Sequence, residues 1–72
     1  MVEPKIVGYR VRVYDFNGFE RWEKTFDGAD AKDKAIAFAK TNANPSNENV
    51  AYVYALTLQL SIVETPVDKP YL

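Results

Sequence analysis

The segment from Val50 to Val63, VAYVYALTLQLSIV, is the longest apolar stretch of the chain and most constrains its fold. Small or semi-polar residues alternate in it with large ones, and the large ones are Val50, Tyr52, Tyr54, Leu56, Leu58, Leu60 and Ile62. Successive residues of a strand point to opposite faces. The alternation therefore predicts one long β-strand over about residues 50–64, with its large side chains turned toward the core.

A β-hairpin is predicted over residues 5–26, because two alternating segments flank the pair Asn17-Gly18. This pair favours a two-residue type I′ turn, in which both central residues have positive φ. That turn sets the register of the two strands. The predicted pairs are Tyr9 with Phe26, Val11 with Lys24 and Val13 with Trp22 on one face, and Arg10 with Thr25, Arg12 with Glu23 and Tyr14 with Arg21 on the other.

A helix is predicted over about residues 28–42, with Asp27 or Asp30 as its N-cap. Its apolar stripe is narrow and rich in alanine, which lets a helix lie close to a sheet. The stripe consists of Ala31, Ala35, Phe38 and Ala39, flanked by Ile36. The acidic residues of its first turns suit the positive end of the helix dipole without a metal ion. After Thr65-Pro66 an extended tail is expected over residues 65–72.

The order strand, strand, helix, strand predicts a small α+β fold, a single ββαβ domain over residues 1–72. We expect a three-stranded, mainly antiparallel sheet in the order 2-1-3, with one helix packed on one face. The last strand is longer than the hairpin strands, so part of it lacks a partner within the chain. Either it pairs with a second molecule, or it bends near Thr57 and packs back. A core this small often needs a partner subunit, which favours the first alternative.

Composition excludes several classes of function. The chain contains no Cys and no His, so disulfides and the usual zinc sites are excluded. Without His, no ordinary base is present to activate a serine, and the three glycines form no phosphate-binding motif. We therefore expect no enzyme, no cofactor and no metal. The net charge of −1 and the lack of a membrane-length apolar segment indicate a cytoplasmic protein without membrane contact.

Two surfaces are candidates for partner binding. The predicted oligomer interface lies on the long strand and comprises Leu56, Leu58, Leu60 and Ile62. The second candidate, the hairpin surface, comprises Arg10, Arg12, Tyr14, Phe16, Phe19 and Arg21. Arginine and aromatic residues are enriched in protein–protein hot spots, and on an open sheet they also bind single-stranded nucleic acid. Ordinary cross-strand pairing, in which Glu20 and Glu23 neutralise the arginines, is the alternative without a partner.

These patterns predict a non-enzymatic protein-interaction module that forms a homodimer through its long last strand. The architecture resembles the small accessory proteins common in phage and bacterial genomes, which implies an accessory protein or inhibitor that binds a larger host protein. Single-stranded nucleic-acid binding on the hairpin surface is the alternative. It is less favoured because a net charge of −1 does not suit a phosphate backbone.

Overall fold

The computed structural model describes residues 5–43, 46, 48–67 and 70–71, which form one helix and a four-stranded antiparallel sheet. The elements are β1 (Lys5–Asp15), β2 (Glu20–Phe26), α1 (Ala31–Asn42), β3 (Asn49–Leu58) and β4 (Ile62–Pro66). The strand order is β2-β1-β3-β4. The α+β class and the neighbours β2-β1-β3 are confirmed. The prediction of three strands is wrong, because a fourth strand follows β3.

The predicted long strand is two strands joined by a tight turn. β3 ends at Leu58, and in the turn the Gln59 N–H donates to the Ser61 carbonyl oxygen at 3.1 Å. β4 then pairs back along β3, with Leu58 opposite Ile62 and Tyr54 opposite Pro66. The bend that the sequence left open is therefore present, slightly later than Thr57. The residues that were expected to lack a partner pair with β3 of the same chain. The unpaired strand that favoured a dimer is therefore absent from the described part of the chain.

Val67 and Tyr71 lie beside β3 after Pro66. The Val67 N–H donates to the Val53 carbonyl oxygen at 2.9 Å, and Ala51 and Tyr71 exchange both backbone hydrogen bonds, at 2.9 and 2.7 Å. Val67 and Tyr71 also pack against the core. The segment predicted as an extended tail is therefore docked on the sheet at these two residues. Leu72 lies outside the described residues.

The turn of the first hairpin differs from the predicted type I′ turn. Gly18 has φ 90°, and it is the one position in the turn with positive φ. The Gly18 N–H donates to the Asp15 carbonyl oxygen at 3.1 Å, and the Asp15 N–H donates to the Phe19 carbonyl oxygen at 2.9 Å. These bonds define a three-residue loop with glycine in the left-handed position. Oδ1 of Asp15 supports it by accepting the N–H groups of Asn17 and Phe19, both at 2.9 Å.

A bulge at Arg21 compensates for the longer loop. Tyr14 pairs with Glu20 instead of Arg21. Between Tyr14 and Val13 the register shifts by one residue, so Val13 pairs with Trp22. The three-residue loop moves the pairing by one position, and the extra residue in β2 moves it back. The predicted pair Tyr14–Arg21 is therefore wrong. The other predicted pairs are confirmed: Val13–Trp22, Arg12–Glu23, Val11–Lys24, Arg10–Thr25 and Tyr9–Phe26.

α1 packs on one face of the sheet through its alanines. The predicted stripe is confirmed, since Ala31, Ala35 and Ala39 are buried and Phe38 packs beside Phe26 with ring centroids 5.6 Å apart. The helix begins at Ala31, after Gly28 in the left-handed region at φ 90°. On the sheet side the core residues are Val11, Val13, Ala51 and Val53. We call this side of the sheet the helix face.

The large residues of β3 do not face the helix, and the prediction that they do is wrong. Ala51 and Val53 are 0% and 2% exposed under α1, whereas Tyr52 and Tyr54 lie on the opposite face and are half-buried. The physical reason is the alanine stripe. A helix that approaches a sheet closely leaves room only for small or medium side chains beneath it. Further along the segment, Leu58, Leu60 and Ile62 are exposed.

Leu56 is the one large residue of this set that is fully buried, at 4% exposure. It pairs with Gly8 on one side and Glu64 on the other, on the face away from the helix. A Cβ atom at Gly8 would lie 2.8 Å from the Phe26 carbonyl oxygen and 3.9 Å from Cδ1 of Leu56. Glycine is required at this position, because any side chain would push the adjoining backbone away.

This core predicts that a buried strand residue contributes more to stability than an exposed one. Val53→Ala should lower the free energy of unfolding by about 2 kcal/mol, because it opens a cavity under α1. The control Thr65→Ser, which removes a methyl group from an exposed position of β4, should cost less than about 0.5 kcal/mol. Urea denaturation measures both values. Equal costs, or a larger cost at Thr65, would contradict this core.

Candidate functional site

The sheet face opposite α1, here called the open face, carries arginines and tyrosines from β1 and β3 and a glutamate from β4. Arginines and tyrosines lie next to each other on this face because β1 pairs with β3. Arg10 lies opposite Tyr54, and Arg12 lies opposite Tyr52. Glu64 joins from β4, where it pairs with Leu56. The open face includes Arg10, Arg12, Tyr14, Tyr52, Tyr54 and Glu64. They are brought together because β3 buries its small residues on the other face.

Glu64 is the centre of an ion-pair network on the open face. Its Oε1 accepts hydrogen bonds from Nη1 of Arg10 at 2.9 Å and from Nε and Nη2 of Arg12 at 3.1 and 2.9 Å. Nη1 of Arg12 also lies 2.8 Å from Glu20 and 2.7 Å from Glu23. Both arginines are therefore held by carboxylates of the same sheet.

The network shifts the protonation equilibria of its members. Burial tends to raise the pKa of Glu64, but the hydrogen bonds from Arg12 and Arg10 outweigh it, so the pKa of Glu64 lies below its ordinary value. The hydrogen bond to Glu64 raises the pKa of Arg12 above its ordinary value. Burial raises the pKa of Tyr54, and the nearby Tyr14 and Glu64 raise it further. At neutral pH the carboxylate and the guanidinium are charged and the phenol is neutral.

Three tyrosines line a groove beside this network. The rings of Tyr14 and Tyr52 are nearly perpendicular, at 88° with centroids 5.4 Å apart, and Tyr52 stacks on Tyr54 at 23° and 6.4 Å. The groove has a volume of about 540 Å³ and is also lined by Asp15 and Phe16. We call it the tyrosine groove. It runs from the middle of β3 to the first hairpin turn.

The structure divides the predicted hairpin surface between different environments. Arg10 and Arg12 lie in the ion-pair network, while Tyr14 lines the tyrosine groove. Phe16 and Phe19 are 57% and 71% exposed at the turn. Arg21 is exposed at the bulge, where it has no partner residue in the register. The six residues therefore lie in three settings: the ion pairs (Arg10, Arg12), the tyrosine groove (Tyr14, Phe16), and the exposed turn and bulge (Phe19, Arg21).

Tyr52, Tyr54 and Glu64 are parts of this face that the sequence reasoning missed. The two tyrosines were assigned to the core because they alternate with smaller residues. A signal against that assignment was available: the alanine stripe of α1 calls for a flat partner surface, which Ala51 and Val53 provide. Glu64 carried no such signal, since its contact with Arg12 depends on the turn after Leu58.

A second surface feature lies at the end of the sheet where β1 begins and β3 turns into β4. Leu58 pairs with both Lys5 and Ile62, and Thr57 pairs with both Ile6 and Val63. Large aliphatic side chains with exposed fractions of 38 to 106% gather there. We call this the apolar end, and it comprises Ile6, Val7, Leu58, Leu60, Ile62 and Val63. Three of the four predicted interface residues belong to it, whereas Leu56 is buried.

Within residues 5–43, 46, 48–67 and 70–71, no three acidic side chains come together in a group that could hold a metal ion. No helix in those same ranges has the length and apolar character needed to cross a membrane. In comparisons with known proteins, no family model, no curated protein and no solved structure matches this chain.

The ion-pair network predicts a pH-dependent contribution of Glu64 to stability. Because its folded pKa is lowered, ionised Glu64 stabilises the fold above its unfolded pKa of about 4.3. This contribution is lost as the pH falls through the folded pKa. At pH 7, Glu64→Gln should lower the free energy of unfolding by about 1 kcal/mol, and the difference from wild type should close in acid. Urea denaturation across this pH range measures it.

The control for this prediction is Glu23→Gln. It removes a carboxylate with a single ion pair to the same Arg12, and the side chain of Glu23 is 49% exposed against 27% for Glu64. Solvent weakens an exposed pair, so the effect should be less than half as large. Equal effects of the two variants, or a Glu64→Gln effect that does not change with pH, would contradict the role given to Glu64.

Proposed function

We propose that this chain is a small non-enzymatic protein-interaction module that forms a homodimer through its apolar end. The observation that carries the proposal is the exposure of Ile6, Val7, Leu58, Leu60, Ile62 and Val63 together at one end of the sheet. By the strand register, Leu58 and Ile62 point to one face of the sheet and Ile6 and Val63 to the other, so apolar side chains surround this end of the sheet. Exposed apolar residues that gather in this way mark interaction sites.

Leu60 is the most informative member of the apolar end. It is 106% exposed in the turn between β3 and β4, where small or polar turn residues are ordinary. Exposure of a leucine at a turn has no benefit for the fold of a single chain. Its burial in an interface would contribute roughly 1.5–3 kcal/mol.

The small core gives a reason for association. Among the described residues, the largest side chains that are completely buried are the valines Val11, Val13 and Val53. A domain of this size buries a smaller share of its surface than a larger one, and many such domains gain stability by oligomerisation. Burial of the apolar end would add large aliphatic residues to a core in which Leu56 is the one buried leucine among the described residues.

A second copy of the same chain suits this patch better than an unlike partner. In a two-fold symmetric dimer the same patch faces itself across the axis. A charged patch would repel itself in that arrangement, whereas an aliphatic patch is complementary to itself. The cores of homodimer interfaces are accordingly more apolar than those of transient complexes. The apolar end is formed by six aliphatic side chains, which meets this condition.

The alternative of single-stranded nucleic-acid binding has less support from the geometry. Binding to phosphates requires free Lys or Arg side chains. Arg10 and Arg12 are bonded to Glu64, and Arg12 also to Glu20 and Glu23. A phosphate backbone would have to displace these carboxylates or lie against their negative charge. Nucleic-acid binding on the hairpin surface stays a prediction that the observed ion pairs do not favour.

The homodimer can be tested by changing Leu60 alone. Leu60→Glu places a charge against its own copy at the two-fold interface, so it should raise the dissociation constant at least tenfold while leaving the monomer fold intact. Light scattering over a concentration series measures the molar mass. The matched control is Phe19→Glu, which introduces the same charge at a residue 71% exposed at the opposite end of the sheet.

The expected pattern is a dimer for wild type and Phe19→Glu, and a monomer for Leu60→Glu. A wild-type protein that stays monomeric up to millimolar concentration would overturn the homodimer. A dimer that responds to Phe19→Glu and not to Leu60→Glu would contradict the position of the interface.

A further inference from the structure

The tyrosine groove lies away from the apolar end and is not used by the proposed dimer. Tyr14 and Ile6 are eight positions apart on β1, which corresponds to roughly 25 Å along the strand. The groove needs its own explanation, because it gathers Tyr14, Phe16, Tyr52 and Tyr54 around one open volume of about 540 Å³. This volume lies within the range of small-molecule sites.

The ring geometry of the groove suits a cation. The faces of aromatic rings carry partial negative charge, so they attract a positive group placed over them. Tyr14 and Tyr52 meet edge to face at 88°, and Tyr54 lies nearly parallel to Tyr52 at 23° with the centroids 6.4 Å apart. The three rings therefore line the groove in two different orientations. These rings are already in contact, so little rearrangement is needed for a ligand to bind.

The charges around the groove also favour a cation. Of the described residues that line it, Asp15 alone is charged. Its Oδ1 is fixed by the N–H groups of Asn17 and Phe19, which hold the carboxylate at the rim of the groove. The adjacent network sets two arginines against three glutamates, which are Arg10 and Arg12 against Glu20, Glu23 and Glu64. The described residues around the groove thus carry a net negative charge, which disfavours an anion such as a phosphate.

The remaining lining favours a methylated ammonium group over a primary amine. Val50 and Pro70 add apolar surface beside the rings. A primary ammonium is a strongly hydrated point charge that would lose its water against this surface. Methyl groups spread the charge and make apolar contacts with the rings. Recognition of quaternary ammonium groups is an established use of such aromatic arrangements.

We propose that the tyrosine groove binds a quaternary or methylated alkylammonium group, of the kind carried by choline and by trimethyl-lysine. Tyr14, Tyr52 and Tyr54 contact the methyl groups with their ring faces. The carboxylate of Asp15 supplies the opposite charge. The site is independent of dimer formation, because its residues lie at the other end of the sheet from Leu60.

Choline is the first probe, and its neutral isostere 3,3-dimethylbutan-1-ol is the matched control ligand. The two molecules have the same shape and differ in the positive charge. Chemical shifts of the tyrosine rings, followed by NMR during titration, report binding at the groove. Choline should bind with a dissociation constant in the millimolar range or tighter, and the neutral isostere at least tenfold more weakly. Equal binding of both ligands, or no binding of either choline or trimethyl-lysine, overturns the proposal.

Protein variants distinguish binding through the aromatic ring faces from binding through apolar surface alone. Tyr52→Leu keeps apolar volume but removes a ring, and it should weaken choline binding at least fivefold. Tyr52→Phe keeps the ring and should stay within about threefold of wild type. Asp15→Asn keeps an Oδ1 acceptor for the turn while removing the charge, and it should weaken binding severalfold. Circular dichroism checks the fold of each variant. Loss of binding in Tyr52→Phe equal to that in Tyr52→Leu contradicts the role of the ring.

A second pair of probes distinguishes a methylated protein from a small molecule as the ligand that carries the ammonium group. A peptide with trimethyl-lysine is compared with the same peptide carrying unmodified lysine, and both are compared with free choline. Tighter binding of the methylated peptide assigns the site to a modified protein, and tighter binding of choline assigns it to a small molecule. Preference for the unmodified peptide overturns the proposal. Leu60→Glu should bind choline like wild type, so a failed dimer test leaves this result intact.

Discussion

The close approach of an alanine-faced helix to the sheet is the constraint from which the other features follow. Ala35 and Ala39 of α1 are completely buried against the helix face, where Val11, Ala51 and Val53 form the opposing surface. Interiors are close-packed, so a helix with alanine on its buried face leaves no space for large side chains below it. The tyrosines of β3 must then lie on the open face. The largest aromatic cluster of the chain is therefore on the outside of the sheet.

On the open face, ion pairs link side chains of different strands. On the helix face, apolar packing links the helix to the sheet. Glu64 lies on β4 and Arg10 and Arg12 lie on β1, with β3 between them. Their bonds span β3 and hold the short fourth strand to the centre of the sheet. Several partly buried charges that share one carboxylate are worth more than isolated surface pairs. The same network pairs both arginines with carboxylates and, among the described residues, places one more acid than base beside the tyrosine groove.

The two ends of the sheet differ in chemistry, and each suits a different kind of partner. At one end the turn around Leu60 and the start of β1 expose aliphatic side chains. The other end contains the loop of Phe16 and Gly18 and the tyrosine groove. An aliphatic end suits contact with a second copy, while an aromatic groove with a carboxylate suits a small cation. The principal extents of 45 × 23 × 18 Å keep the two sites well apart.

Much of the fold follows from local sequence signals. The hairpin, the alanine stripe and the order β2-β1-β3 were predictable from turn residues, periodicity and connection rules. The hairpin register was predicted at most positions, although the loop and the bulge at Arg21 differ from the assumed turn and cancel each other.

The two main misses, the buried face of β3 and the fourth strand, have separate physical causes. Alternation shows that a strand has two different faces, but it does not show which face is buried when one holds Tyr and the other Ala and Val. That choice depends on the helix that packs there. The turn at Gln59 to Ser61 has no Gly, Pro or Asn to mark it. Both the fourth strand and the network around Glu64 depend on that turn, so neither was predictable from local signals.

The burial of the small face of β3 under α1 is the central claim, and NMR contacts test it most directly. Nuclear Overhauser effects from the methyl groups of Ala35 and Ala39 should reach Val53 and Ala51. The same alanine methyls should show none to the ring protons of Tyr52. Contacts between the alanine methyls and Tyr52 would mean that β3 faces the helix with its large side chains, and both the open-face network and the tyrosine groove would be lost.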